Sequence, residues 1–270
     1  MPDAVTRGAT TPAGDRVARV ALSVAAGLLF LILAFPLAGL LLAAPPAELA
    51  RGLRNPQVVP AVALSLATTT VSLALIVGCG TPLAWAIARG TGRRWRAVET
   101  IAELPAVLPP AVAGVALLLA FGRRGLLGGA LAAVGVGLPF TSAAVVLAQS
   151  FVAAPFYLQA ATAAFRRLDT DVVLVARTLG ASRSRVFLTV AAPIARPALM
   201  GGAALAWARA LGEFGATLMF AGNMPARTQT LPLAIYTALE SDLRTAQSLS
   251  ILLVAVALGL LVGVRAGRRS

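Results

Sequence analysis

The sequence predicts an all-α integral membrane protein of about six transmembrane helices, and three observations carry that expectation. Hydrophobic residues make up 59% of the chain and charged residues 12%, with a mean hydropathy of +0.86, far from the balance of a soluble domain. The apolar residues gather in six runs of roughly 20 residues, the length a helix needs to cross a hydrocarbon core about 30 Å thick. None of the runs alternates between apolar and polar, which excludes the strands of a closed barrel.

The first predicted span covers residues 18–42 and follows a tail, residues 1–16, rich in Thr, Gly, Ala and Pro and expected to be flexible. A cleavable leader is a poor reading of this region, because the apolar run continues past Pro36 with no release site. The second span, 59–88, carries the hydroxyls of Ser65, Thr68, Thr69, Thr70 and Ser72. Each can bond its own helix carbonyls, the commoner outcome for any one of them, or donate to an anion. Cys79 lies in the same run, has no possible intrachain partner as the sole cysteine, and is expected to pack. The third and fourth spans are 101–121 and 139–162, with Pro105, Pro109, Pro110 and Pro139 in or beside them; proline kinks a membrane helix whether or not that helix moves.

Between the fourth and fifth spans lies a loop, residues 166–196, too charged to cross a bilayer. Leu168, Val172, Val175 and Leu179 recur at helical spacing, Gly180 interrupts them, and Val186, Phe187 and Val190 form a second short apolar face ending at Pro193. Helix, glycine break and helix make a surface suited to docking. The fifth span, 197–221, contains Arg209 and Glu213, four residues apart and so on one helix face. An arginine at a membrane helix centre costs about 2.5–3.5 kcal/mol on the insertion scale. Mutual neutralisation and a place on a solute pathway both account for the pair. Gly212, Gly215, Ala216 and Thr217 surround Glu213 with small residues, which serve plain close packing or a gate. The sixth span is 246–264, followed by a short basic tail, residues 265–270; residues 17–264 form one membrane domain.

The net charge is +13, and all 23 basic residues are arginine. Alternating the loops places sixteen arginines with the two termini and the 166–196 loop, against six on the opposite side and Arg209 within a span. The positive-inside bias therefore predicts both termini and that loop in the cytoplasm. The charge is a topology signal and not a nucleic-acid footprint. The absence of histidine removes the usual general base, proton relay and metal ligand, and no cluster of acids or Ser–Lys pair appears, which disfavours a membrane enzyme. A transporter fits better, either ion-coupled through Glu213 or driven by a partner.

The 166–196 loop resembles the coupling motif of binding-protein-dependent ABC importer permeases: Glu-Ala-Ala, three residues, Gly, nine residues, Ile, one residue, Leu-Pro. Ala176, Gly180 and Pro193 fall in register, and Val190 takes the isoleucine position. Leu174 replaces the motif's glutamate, Val175 its first alanine and Ala192 its leucine. Within that family the membrane region is similar to the molybdate permeases, with sulfate permeases as relatives. The matching stretches are Gly80–Trp85, Leu104–Pro110, Phe121–Gly125, Ala208–Thr217 and Ala221–Pro232.

The resemblance implies a type I importer arrangement, a homodimer of this chain in the cell membrane, two cytoplasmic ATPase subunits and an extracytoplasmic oxyanion-binding protein. It implies ATPase-coupling roles for Ala176, Arg177, Gly180, Ala181, Arg183, Arg185 and Pro193, and places Arg209, Glu213, Gly215, Thr217, Thr68 and Thr69 on the pathway or gate. The expected cargo is molybdate, with tungstate or sulfate as the other candidates. ATP and Mg would bind the partner ATPase, this chain holding no cofactor. In keeping with that, it has no lysine with which to build a phosphate-binding Gly-Lys-Ser/Thr loop.

Overall fold

A computed structural model describes residues 12–42 and 52–267. The chain divides into two compact units, Met1–Glu48 and Leu49–Ser270. The first contains one helix, α1 (Pro12–Leu42), whose most apolar part has a mean hydropathy of 2.5 and which tolerates Pro36 in its interior. The expected N-terminal tail lies outside the described residues as far as residue 11, and helix begins at Pro12. Of the tail 265–270, residues 268–270 also lie outside them.

Every regular element among the second unit's described residues is a helix. Its elements are α2 (Val58–Arg89), α3 (Arg93–Glu103) with a 3₁₀ turn at Leu104–Ala106, α4 (Pro110–Phe121), α5 (Gly128–Ala133) and α6 (Ser142–Arg166). There follow α7 (Thr170–Thr178), α8 (Arg183–Leu211), α9 (Gly215–Ala221), α10 (Leu231–Ser241) and α11 (Leu243–Gly267). Among the described residues of the whole chain, five helices are long and apolar enough to cross a membrane, or six if a bent pair counts as one span.

That bent pair corrects the expected third span. Residues 93–106 and 110–121 are separate segments meeting at 118°. α3 carries Arg93, Arg94, Arg96, Glu99 and Glu103, too many charges for hydrocarbon. Pro109 and Pro110 then remove two backbone donors and push the preceding residues out of helical geometry. The expected fifth span is corrected as well. Helix starts earlier, at Arg183, runs through a π turn at Phe187–Ala191, and stops at Leu211. Gly212–Phe214 form a break, and α9 resumes beyond it.

α6 is the hub, packed against α2, α8, α9 and α4. Its inward face is rich in alanine, including Ala144, Ala148, Ala153 and Ala161, all with no exposed surface, and small residues let helices approach closely where lipid offers no hydrophobic drive. On one side, Ile76 and Ala84 of α2, Tyr157 and Phe165 of α6, and Ala206 and Ala210 of α8 make one core. Gly80 and Gly202 bring α2 and α8 onto Tyr157; a β-carbon at Gly202 would stand 2.8 Å from that of Ala160. The Tyr157 hydroxyl is 2.6 Å from Thr81 Oγ1, so its polar end is satisfied inside the bundle. A second core joins α4, α6 and α9 through Leu117, Val145 and Phe220. A third joins α2, α10 and α11 through Val58, Leu231 and Leu249. Cys79, expected to pack, is exposed on α2.

Candidate functional site

The helix–glycine–helix segment that includes α7 and the start of α8 is built from local rules. Asp169 caps α7 by accepting from the Asp171 N–H at 2.9 Å. At the other end, the Gly180 N–H donates to Arg177 O (3.0 Å) and the Ala181 N–H to Ala176 O (3.1 Å). That pair of bonds is a Schellman cap, which needs a left-handed residue at its centre. Gly180 supplies it with φ +86°. The register of Ala176, Gly180 and Ala181 is thus the register of a helix stop. Ser182 then caps α8, accepting from the Arg185 N–H at 3.2 Å, and Arg183, Arg185 and Pro193 lie within its first turns.

α7 leaves its apolar side chains uncovered: Val172, Leu174, Val175 and Leu179 are exposed, Leu179 at 82%. Four large apolar residues on one exposed helix and its cap form a surface that calls for a partner. Beneath it, three rings lock the ends of three membrane helices together. Trp85 of α2 meets Phe165 of α6 edge-on at 5.3 Å, Phe187 of α8 lies 5.7 Å from Trp85, and the two phenylalanines are 6.1 Å apart. Each such pair adds about 0.5–1.5 kcal/mol beyond area burial. Phe187 thus ties the start of α8 to α2 and α6. Sequence reasoning did not single out Phe165 as functional; its signal was an aromatic at helical spacing from Tyr157 and Ala161 on the buried face of α6.

Inside the bundle, Arg209 Nη1 lies 2.8 Å from Glu213 Oε2, as the four-residue spacing predicts. The spacing does not reveal that Glu213 sits in the break after α8, only 1% exposed. Its second oxygen, Oε1, accepts from the Ala216 N–H at 2.8 Å, satisfying a free donor in the first turn of α9. Both oxygens are engaged. Arg209 keeps 30% of its side chain exposed. Gly215 packs on Pro110 so closely that a β-carbon there would collide with that ring, which fixes α9 against α4.

Thr68 and Thr69 face inward but donate to their own helix, at Leu64 O (2.8 Å) and Ser65 O (2.6 Å). Thr69 Oγ1 also accepts from Trp207 Nε1 at 3.0 Å. Ser65 Oγ accepts from the Leu231 N–H at 2.7 Å, pinning the start of α10 to α2. Thr217 is fully buried with its hydroxyl unpartnered, as is that of Thr230. The turn at 222–230 adds polar residues that sequence reasoning did not treat as a site. Asn223 Nδ2 and Gln229 Nε2 both donate to Thr237 Oγ1, at 2.8 and 3.3 Å.

A chain with this exposed helix–glycine–helix segment on a small-residue bundle is similar to known proteins. The model of the binding-protein-dependent transport system inner membrane component family matches residues 80–266. The chain belongs to this family. The permease is 46% identical over 206 residues to the molybdenum transport system permease protein ModB of Mycobacterium tuberculosis, covering 76% of this chain and 78% of that one. It is 35% identical over 202 residues to ModB of Escherichia coli K12, covering 74% and 88%. In fold it is similar to a bacterial ABC transporter that imports the acidic polysaccharide alginate, with a TM-score of 0.75 over 93% of this chain and 95% of that one at 17% identity. The permease is thus a multi-pass membrane subunit of an ABC transporter.

Proposed function

We propose that this permease forms the membrane pathway of an ATP-driven importer of molybdate, with tungstate as a cargo of the same shape and charge. The observation that carries the cargo is its 35–46% identity to permeases from several bacteria named for molybdenum transport. Two copies of the chain enclose the pathway, two ATPase subunits bind ATP and Mg on the cytoplasmic side, and a soluble binding protein delivers the oxyanion from outside. Both termini and α7 face the cytoplasm, in line with the arginine distribution.

The uncovered face of α7 is the surface onto which the ATPase fits. Closure of the ATPases on ATP moves α7 and the start of α8, and the Trp85, Phe165 and Phe187 cluster carries that motion into α2 and α6. The pathway then opens outward; hydrolysis and release restore the inward state. The coupling works only because the docking helix contacts the partner differently in the two states. Arg209 supplies partial positive potential beside the pathway, and Glu213 tempers it, so that a dianion passes without being trapped. Gly215 and Thr217 form part of the gate.

The test is uptake of labelled molybdate into vesicles holding the permease, its ATPase and its binding protein, with excess sulfate as competitor. Uptake that needs ATP and the binding protein and persists in sulfate is the expected result. Abolition by sulfate would assign the chain to sulfate transport, and uptake without the ATPase would refute the coupled mechanism.

A further inference from the structure

Between the end of α2 and the docking segment lies a cavity of about 410 Å³ lined by Trp85, Arg89, Val173, Arg177, Arg183 and Val186. Liquid water takes about 30 Å³ per molecule, so the space holds a small polyatomic ion with part of its hydration shell. Three of the six lining residues are arginines and none is acidic. They come from three elements: Arg89 from the last turn of α2, Arg177 from α7 and Arg183 from the first turn of α8. Like charges gathered around one space repel each other, and no carboxylate in the lining offsets them.

Arg89 is the decisive residue. Its guanidinium carbon stands 4.7 Å from the centre of the Trp85 ring, which holds the side chain in place. Its Nε and Nη2 are nevertheless buried with no hydrogen-bond partner. Buried donors of a charged group are rarely left unpaired, and one that is calls for a missing partner. A planar fork of N–H donors matches the oxygens of a tetrahedral oxyanion.

We propose that this cavity is an anion site that takes a tetrahedral oxyanion such as phosphate, seated on Arg89 and closed by Arg177 and Arg183. Because the three arginines belong to three elements, the bound anion ties the docking helix to the base of α2 and makes the segment from α7 to early α8 more rigid. The site is separate from the Arg209 and Glu213 pair and does not depend on which cargo the permease carries.

The test uses the full-length chain in nanodiscs of zwitterionic lipid at low ionic strength, titrated with radiolabelled inorganic phosphate. Saturable binding of one phosphate per chain is expected, accompanied by slower amide exchange over residues 170–186. Arg89→Gln and Arg177→Gln should each weaken binding at least about tenfold, the loss of one charge-assisted contact. Arg89→Lys should fall between, and Arg124→Gln, an exposed arginine outside the cavity lining, should leave binding intact. Arg183→Gln serves if Arg89→Gln does not fold. Repeating the titration in discs containing phosphatidylglycerol separates the sources. A weakened apparent affinity assigns the site to a lipid phosphate as well, and an unchanged one restricts it to free oxyanions. No saturable binding in the millimolar range, or binding unaffected by both Arg89→Gln and Arg177→Gln, would overturn the proposal.

Discussion

Glu213 shows how one side chain accounts for a charge in the membrane. Its two oxygens serve Arg209 and the Ala216 N–H separately, so the residue both neutralises the end of α8 and starts α9. Removing one member of a buried pair costs about 3–5 kcal/mol, and the 30% exposure of Arg209 puts the loss at the lower end. Glu213→Ala should therefore lower the thermal midpoint of the permease in nanodiscs. The double variant Arg209→Gln/Glu213→Gln should recover part of that loss, because no lone charge remains and the new side-chain amide still offers an oxygen to the Ala216 N–H. A single variant as stable as the parent would contradict the pairing. The ion pair was legible in the sequence from its spacing. The cap was not, because Gly212 and Gly215 read equally well as small residues for close packing or a gate within one continuous span.

Among the elements, close approach does the work that hydrophobic burial does in water. Gly202→Val should push α8 off α6, since the first added carbon already stands 2.8 Å from Ala160. A destabilisation of about 1–3 kcal/mol is expected for such overpacking, read as a lower unfolding temperature. Asp242, at the start of α11, accepts from the Thr245 hydroxyl and the Arg244 N–H, and the Thr245 bond holds its carboxyl below its ordinary value of 3.8. A lowered carboxylate contributes stability above that ordinary value and loses it as pH falls through the folded value. Amides 244–246 should therefore exchange faster, relative to the intrinsic rate, once the pH drops below 3.8; no change would show the cap to be unimportant. Sequence periodicity located α2, α6 and the helix, glycine and helix order of the docking segment. It joined the end of α3, from residue 101, to α4 because Pro105, Pro109 and Pro110 read equally well as kinks within one span. α10 escaped because eleven residues are too few to span a bilayer.

For the molecule as a whole, the proposed transport cycle depends on a mechanical path from an exposed helix to a buried bundle. The path has three parts: the cap at Gly180, the ring cluster beneath it, and the alanine-rich packing of α6. Trp85→Ala removes the ring that touches both phenylalanines, so it should reduce uptake more than ATP hydrolysis in the assembled transporter; equal loss of both would point to simple unfolding. The helix–glycine–helix order of residues 170–186 was legible in the sequence because its spacing is local. The ring cluster was not, because its members lie at residues 85, 165 and 187 and meet only after folding.

The most direct measurement compares the parent with Gly180→Val, recording ATP hydrolysed and molybdate taken up in the same proteoliposomes. At φ +86° a branched side chain is strained by about 1–2 kcal/mol, although nothing lies within 4 Å to obstruct it. The fold should therefore survive while the angle between α7 and α8 changes. Hydrolysis that continues while uptake is lost is the predicted result. Parental uptake by the variant would contradict the claim that this element couples the two.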